Sequence, residues 1–577
     1  MQVQNLVDRA LRRTPRTPSG LKTPPLLSGG LPILGHTVEF VRSAIELLTR
    51  AQRELGEVAA VEVGGRRMVA LFGPDAQEAV FRAPDAQLNP KDAYKIMTPV
   101  FGEGMVYDAP DDKMAEQMKM LVPALKDKRM RTYGETILQE VLDSMKEWGD
   151  SGELDLVEYC RVLTNYTSSA CLLGHEFRHG MTEEFARVYH DMERGVTPLA
   201  YLNANLPIPS FRKRDKARVR LVEMITEIVE QRRKSGKRGE DFLQTLMDAR
   251  YKSGEALTED EITGMLLAAM FAGHHTSSVT TAWTLIELLQ NPAYLGKLMA
   301  QLDEVYGDDG LVTYQSLRQI SLTENAVKEA LRLHPPLFML VRVVQYDFVY
   351  KGYLLPRGTW VLISPTVAHL IGDVFAEPER FDPDRFAPPR EEDKRDFAYI
   401  PFGGGRHKCL GNAFALLQVK AIVAVLLRQY EFELVGDEVG SDFHGLVVGP
   451  KEPMRLRYRR RDRNVQVAVG NAADEVDQAA GREDDHRRLR VMIDRDLCQG
   501  HAVCIEEAPE IFSLAEDGRV ELKVREVKGD LCAKADMASR YCPNGVIRVE
   551  EVAVEAEPKP DGGNGKPSGE AGGCPFH

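Results

Sequence analysis

The sequence predicts a large unit that is mainly α with minor β, followed by a small α+β unit. A helical pattern of some 32 residues starts at a Thr258-Glu-Asp-Glu261 capping box and runs to Asn291-Pro292. At about 1.5 Å per residue it forms a rod of ~48 Å, long enough to cross a whole domain. β-like runs are short and scattered, at Val58 to Val63, Met68 to Phe72 and Trp360 to Ser364. The composition changes after residue 460, and 577 residues exceed one domain of about 100–200.

The first 460 residues carry a net charge of only −5. Residues 461–488 are rich in Ala, Asp and Arg with few large apolar side chains, which predicts a linker. Residues 489–557 carry a net −6 and form a small acidic module, and the Pro/Gly-rich 558–577 predict a disordered tail. A whole-chain charge of −13 argues against nucleic-acid binding, which needs a dense positive surface. Eight cysteines are too few for a disulfide scaffold, and the N-terminal residues lack the apolar core of a signal peptide, so the expected location is cytoplasmic. Ile262 to Ile286 holds no Asp, Glu, Lys or Arg, but its His274, His275 and several Ser and Thr suit a buried helix of a soluble core better than a membrane span. At most transient membrane contact is expected.

Phe402-Gly-Gly-Gly405-Arg-His407-Lys-Cys409-Leu-Gly411 joins a glycine-rich turn to one cysteine at the start of an Ala-rich helix. Loop N–H groups and a helix N-terminus stabilise negative sulfur, as a metal-bound thiolate needs. An isolated cysteine there also reads as a buried structural residue. The spacing Phe-x-x-Gly-x-x-x-Cys-x-Gly resembles the haem-thiolate signature of the cytochrome P-450 monooxygenases. Glu329-Ala-Leu-Arg332 and Phe381-Asp-Pro383-Asp-Arg385-Phe386 look like that family's Glu-x-x-Arg and Pro-x-Arg-Phe triad, which implies a structural network of Glu329, Arg332 and Arg385.

In the long helix, Gly273 lowers helix propensity and Thr276 can bond a carbonyl one turn back, which could open a gap for dioxygen. A histidine beside a hydroxyl suits a proton relay, so His275 and Thr276 are the catalytic candidates. Ala272-Gly-His-His275-Thr276-Ser-Ser278 resembles the form seen in the family's sterol 14α-demethylases. Tyr94 to Asp108 (YKIMTPVFGEGMVYD) is similar to the loop that roofs their sterol pocket, as is Tyr166-Thr-Ser-Ser-Ala-Cys171 to a further segment. The stretch Asp111 to Glu116 departs from the group, with Lys113 its only basic residue.

The resemblance covers about residues 24–460, after an N-terminal arm of 1–23. It implies a haem-thiolate monooxygenase fold holding haem b, with Cys409 on the iron. It implies Tyr94, Arg342 and His407 at the haem propionates, and Phe402 and Gly411 at the same cofactor. Ile96, Met97, Phe101, Phe271, Ala272, Leu337 and Leu446 would line an apolar pocket for a rigid polycyclic substrate, with Ile96 hinting at a dimethylated one. The implied reaction consumes dioxygen and removes a sterol methyl group in three oxygenations with release of formate.

In the small module, Cys498-Gln-Gly-His501-Ala-Val-Cys504 and Cys542-Pro543 follow the C-x2-C-x2-C...C-P pattern of bacterial ferredoxins with His501 in the second cysteine's place. This resembles three-cysteine ferredoxins and favours a 3Fe–4S cluster, with His501 a possible fourth ligand. A zinc site fits less well, because Cys-x5-Cys is too wide. Cys532 reads as a core residue. No Gly-x-Gly-x-x-Gly fingerprint follows a strand, so a separate NAD(P)H-dependent ferredoxin reductase is the expected electron source. A linker of ~30 residues spans about 30 Å and gives a millimolar effective concentration. The acidic module should seek a basic face, with Lys126, Lys128, Arg129, Arg131, Arg406 and Lys408 as candidates. The competing functions are oxidation of another terpenoid or fatty acid, and a non-catalytic haem/iron–sulfur electron carrier or gas sensor.

Overall fold

The computed structural model describes residues 20–552, apart from 126, 175–177, 179–182, 198–199, 201–202, 240, 308–309, 437–438, 444–446, 464, 468–486, 499 and 543–544. The long helix spans Glu259–Gln290. Thr258 accepts the Glu261 N–H while the Glu261 carboxylate accepts the Thr258 N–H, and Asn291 ends the helix before Pro292 begins the next. It packs against the helices Leu156–Leu172, Ser321–Leu333 and Asn412–Gln429. Its uncharged run is explained by two cores. Ile262, Met265, Leu266, Leu267 and Met270 sit in one, whereas Ala282, Trp283, Leu285, Ile286 and Leu288 sit in another. The helix stays α throughout, so Gly273 and Thr276 do not interrupt it. Among the described residues, only Asn412–Gln429 is long and apolar enough to cross a membrane, and most of it is buried inside the protein.

A five-stranded sheet runs in the order Val58–Val63, Arg66–Leu71, Trp360–Ile363, Leu340–Val344, Leu88–Asn89. Side chains alternate across it, since Ala59, Val61, Val341 and Val343 enter one core while Val58, Ala60, Val344 and Val361 enter another. Arg342, opposite Val361, therefore points away from the Val341 and Val343 face.

Below the Ser321–Leu333 helix, the carboxylate of Glu329 is shared by two arginines with no solvent exposure. Arg332 donates to both of its oxygens at 2.8 and 2.9 Å, and Arg385 donates Nε to Oε1 at 2.9 Å. Arg332 also binds the carbonyls of His369 and Pro378, while Arg385 binds the Ala376 carbonyl and Glu392. His369 extends the network, with Nδ1–H donating to the Arg332 carbonyl and Nε2 accepting the Ile400 N–H. Burial, reinforced by Arg332, pushes the His369 pKa down to about 3, so the ring is neutral.

The C-terminal unit has a three-stranded antiparallel sheet, Glu526–Lys528, Arg488–Ile493, Ile547–Glu551, a hairpin Phe512–Leu514/Val520–Leu522, and the helices Val503–Glu507 and Asp530–Tyr541. Cys532 is buried in its core and donates to the Arg487 and Val527 carbonyls. The preceding large unit keeps its pairing beyond residue 460, because Gln466–Val467 lies parallel to Leu311–Val312.

Replacing Glu329 with Ala strands two buried guanidinium groups and should cost about 3–5 kcal/mol, whereas breaking the exposed Lys297–Asp384 pair should cost less than ~1 kcal/mol. Urea unfolding of the full chain at pH 7 checks the contrast. The neutral His369 predicts a direction with pH. Below its ordinary value of 6.5 the unfolded chain binds the extra proton, so its stabilising contribution, whole above 6.5, is lost as pH falls toward about 3. A His369→Gln variant should be less stable at pH 7 yet lose stability less steeply over that window, as read by the same unfolding experiment.

Candidate functional site

Cys409 closes its loop by donating its N–H to the Phe402 carbonyl at 2.9 Å. The loop is pressed against Phe81. A Cβ at Gly405 would collide with the Phe81 carbonyl, and one at Gly404 would come within 2.8 Å of its ring, so these two glycines let the loop pack against Phe81. Cys409 is exposed, yet desolvation by the protein atoms around it pushes its thiol up, while the Gly411 N–H and the Lys408 ammonium oppose this. These two groups favour the thiolate that a metal would complete.

Tyr94 stacks on Tyr107 at 4.9 Å between centroids. Burial pushes the Tyr107 hydroxyl up to about 12, and the charges that act on it are those of Tyr94, Arg342 and Cys409. Roof, strand and thiol therefore converge on one space. Arg342 is buried, and His407 lies 2.6 Å from Asp85, whose carboxylate is raised by burial but held below its usual value overall by His407, with Arg406 and Arg342 adding to the effect. A single thiol, an arginine, a histidine and a tyrosine around one space fit a haem.

The distal wall is one face of the long helix. Between its two cores, Ala268, Ala269, Phe271, Ala272, Gly273, His275 and Thr276 are incompletely buried, and Ala272 is exposed. Phe101 meets Phe271 edge-on at 6.3 Å. Gly264 permits this approach, since a Cβ there would collide with the Phe101 carbonyl. Ile96, Met97 and Phe101 are buried in the adjoining core, Leu337 is 36% exposed, and Leu446 lies outside the described residues.

Glu193, at the end of the helix Glu183–Glu193, is 3.1 Å from His274 Nδ1 and 3.0 Å from His275 Nε2. Burial alone would raise its pKa, but the imidazoles outweigh burial and hold it at about 2. His274 Nε2 bonds the Arg161 carbonyl, so both partners of this ring are acceptors. The Thr276 hydroxyl donates to the Ala272 carbonyl at 2.7 Å. Lys113 pairs with Glu261 at 2.7 Å.

Sequence reasoning missed Glu193, Asp85 and His369. Glu193 lies 81 residues from His274 and Asp85 lies 322 from His407, and neither has a local pattern. In the small unit, Cys498, Cys504 and Cys542 come together. Burial pushes the Cys504 thiol up to about 12, with Cys542 and Cys498 adding to the shift. Backbone N–H groups of Gly500 and Val520 point at the Cys498 sulfur, and that of Val546 at Cys542. Mutually close thiols with N–H donors fit an iron–sulfur cluster. His501 is half-buried within the same loop.

Exchanging Cys409 for Ser should abolish the thiolate-type absorption of the carbon monoxide complex in the reduced protein while leaving iron bound to the small unit. Exchanging Cys542 for Ser should do the reverse. Difference spectroscopy and iron analysis check both.

The chain matches the family described as Cytochrome P450 over residues 24–457 and the 4Fe-4S single cluster domain over residues 491–549. It is 43% identical over 453 residues to the sterol 14alpha-demethylase of Mycolicibacterium vanbaalenii, which covers 77% of this chain and 100% of that one. It is 42% identical over 444 residues to that of Mycobacterium tuberculosis, covering 76% and 98%, and 38% identical over 456 residues to the obtusifoliol 14-alpha demethylase of Sorghum bicolor, covering 77% and 92%. The structure of retinoic acid-bound cyanobacterial CYP120A1 shares the fold with a TM-score of 0.68 at 23% identity, covering 76% of this chain and 100% of that one. The chain belongs to the cytochrome P450 family, in the company of the sterol 14α-demethylases, and carries a C-terminal ferredoxin-type iron–sulfur domain.

Proposed function

We propose that this chain removes the 14α-methyl group of a lanosterol-like sterol by three successive oxygenations with release of formate, and that electrons reach its haem through its own ferredoxin domain. The observation that carries this reading is the single helical face on which an apolar wall, Phe271 and Ala272, adjoins a buried acid–histidine group, His275 with Glu193. The full-length match to relatives named for that demethylation supports it.

The haem supplies dioxygen activation, and the remaining work belongs to the side chains. Cys409 would hold the iron, and Tyr94, Arg342 and His407 would hold the propionates, with Asp85 fixing the His407 ring. Ile96, Met97, Phe101 and Leu337 exclude water from the substrate's faces. The ionised Glu193 carboxylate accepts from the ring nitrogens of His274 and His275 and orients both imidazoles, and Thr276 could receive a proton from that side once its hydroxyl leaves the Ala272 carbonyl. In the ferredoxin domain, three cysteines favour a 3Fe–4S cluster, and His501, which stands in the second cysteine's place in the motif, would be the possible fourth ligand. A separate NAD(P)H-dependent ferredoxin reductase would recharge it in the cytoplasm. Exposed Leu31, Ile33, Leu34, Val38 and Val41 support a transient membrane contact for collecting an apolar substrate.

Purified full chain supplied with lanosterol, reductase and NAD(P)H should yield 14-demethylated sterol and formate without added ferredoxin. Absence of that product, with the haem reduced, would remove the sterol assignment. Exchanging Glu193 for Gln should slow turnover by about 10²-fold or more while the sterol-induced spectral shift persists, because the change removes proton handling and not the apolar wall. Steady-state kinetics alongside optical titration separate the two effects.

A further inference from the structure

The ferredoxin domain is seated on the face that carries the cysteine loop. Asp494 pairs with Arg82 at 2.7 Å, Arg548 with Asp396 at 2.5 Å, and Arg540 with Glu324 at 3.8 Å. The Arg318 guanidinium meets the Met537 sulfur at 3.3 Å, and Val503, next to Cys504, is buried in the large domain's core. Lys408, next to Cys409, reaches the loop after Cys542, because a Cβ added at Gly545 would lie 2.9 Å from its Nζ.

At the middle of these contacts is Phe397. Its ring packs against the cores of both domains, stacks with Phe81 at 6.1 Å and lies 5.3 Å below the Arg82 guanidinium. Its backbone is left-handed, with φ of 52°, a conformation that a non-glycine residue keeps only where its surroundings hold it. An aromatic anchor ringed by half-exposed ion pairs is the usual plan of a specific interface.

The charges also differ from the simple expectation of an acidic module on a basic face. Lys408 and the Arg82–Asp494 pair follow it. Arg548 with Asp396 and Arg540 with Glu324 reverse it, placing cations of the ferredoxin on acids of the haem domain. Of the other expected cations, Lys126 and the side chain of Lys128 lie outside the described residues.

We propose that Phe397 is the anchor of a dedicated docking surface that holds this chain's own ferredoxin with its Cys542 edge on the Cys409 loop, and that the mixed-sign ion pairs select it over uniformly acidic ferredoxins. This rests on the electron-delivery reading above. The step served moves one electron from the reduced cluster to the ferric haem, with no bond made or broken. An all-acidic partner would place like charge against Asp396, while Glu324 already pairs with Lys420 at 2.7 Å, and such like-charge contact is how an interface rejects a wrong partner.

The test is hydrogen exchange of the haem- and cluster-loaded full chain, followed at residues 394–397 and 545–549. Exchange should be slow in the native chain and faster by about tenfold or more in the Phe397→Ala variant and in the Arg548→Glu variant. Combining Arg548→Glu with Asp396→Arg should restore slow exchange. The carbon monoxide spectrum confirms that each variant carries haem, and the Arg548→Glu change lies on the ferredoxin surface, so it reports even if Phe397→Ala weakens the large domain. Identical exchange in all these chains would overturn the proposal. Turnover with reductase and NAD(P)H, without added ferredoxin, separates the two ideas. Variant-sensitive exchange without turnover keeps the docking surface and defeats self-supply. Turnover with variant-insensitive exchange does the opposite.

Discussion

One buried carboxylate organises the structure. Glu329 meets two guanidinium groups where no solvent reaches, and each arginine spends its remaining donors on carbonyls or a second carboxylate of the following irregular segment. A lone carboxylate would be costly there. Shared between Arg332 and Arg385, it ties a helix to a stretch that has little regular secondary structure of its own. His369 passes the restraint to Ile400, nine residues before Cys409. The metal-binding loop is therefore positioned by electrostatics beneath it, and by the contact with Phe81 that only glycine at 404 and 405 allows.

The same irregular segment carries Asp396 and Phe397, which meet the ferredoxin domain. One network thus fixes the thiol on one side and the docking surface on the other. Under the proposed function, this coupling gives a physical reason for placing an electron donor here, because the element that holds the acceptor's ligand would also hold the donor. Above the thiol, the long helix passes between two apolar cores, and the interval between them combines Phe271 and Ala272 with His275 and Thr276. The proposed substrate wall and proton source are adjacent because they share one helical face.

Much of this was legible in the sequence. The capping box at Thr258 and the Asn291-Pro292 stop located the long helix, and the uncharged run from Ile262 to Ile286 follows from its burial in two cores. The triad was readable because its members occur in short motifs, and the converging cysteines because their spacing is regular. Glu193, Asp85 and Phe397 were not readable. Each works through a partner far along the chain or in another domain, and nothing in its own neighbourhood distinguishes an acid that meets a histidine from one that faces water. The glycines of the cysteine loop were visible, but their purpose was not, since Phe81 comes from a helix more than three hundred residues earlier. Net charge misled for a similar reason. The acidic total of the ferredoxin domain says little about the contact face, where Arg540 and Arg548 lie.

Under the proposed function, the haem domain and its ferredoxin work as one electron-transfer unit. The most direct test is stopped-flow reduction of the haem under carbon monoxide after the iron–sulfur cluster has been reduced, followed over a wide range of protein concentration. A docked, tethered donor predicts a first-order rate constant that does not change on dilution. A rate that rises in proportion to protein concentration would show that electrons pass between separate molecules, and would contradict the account.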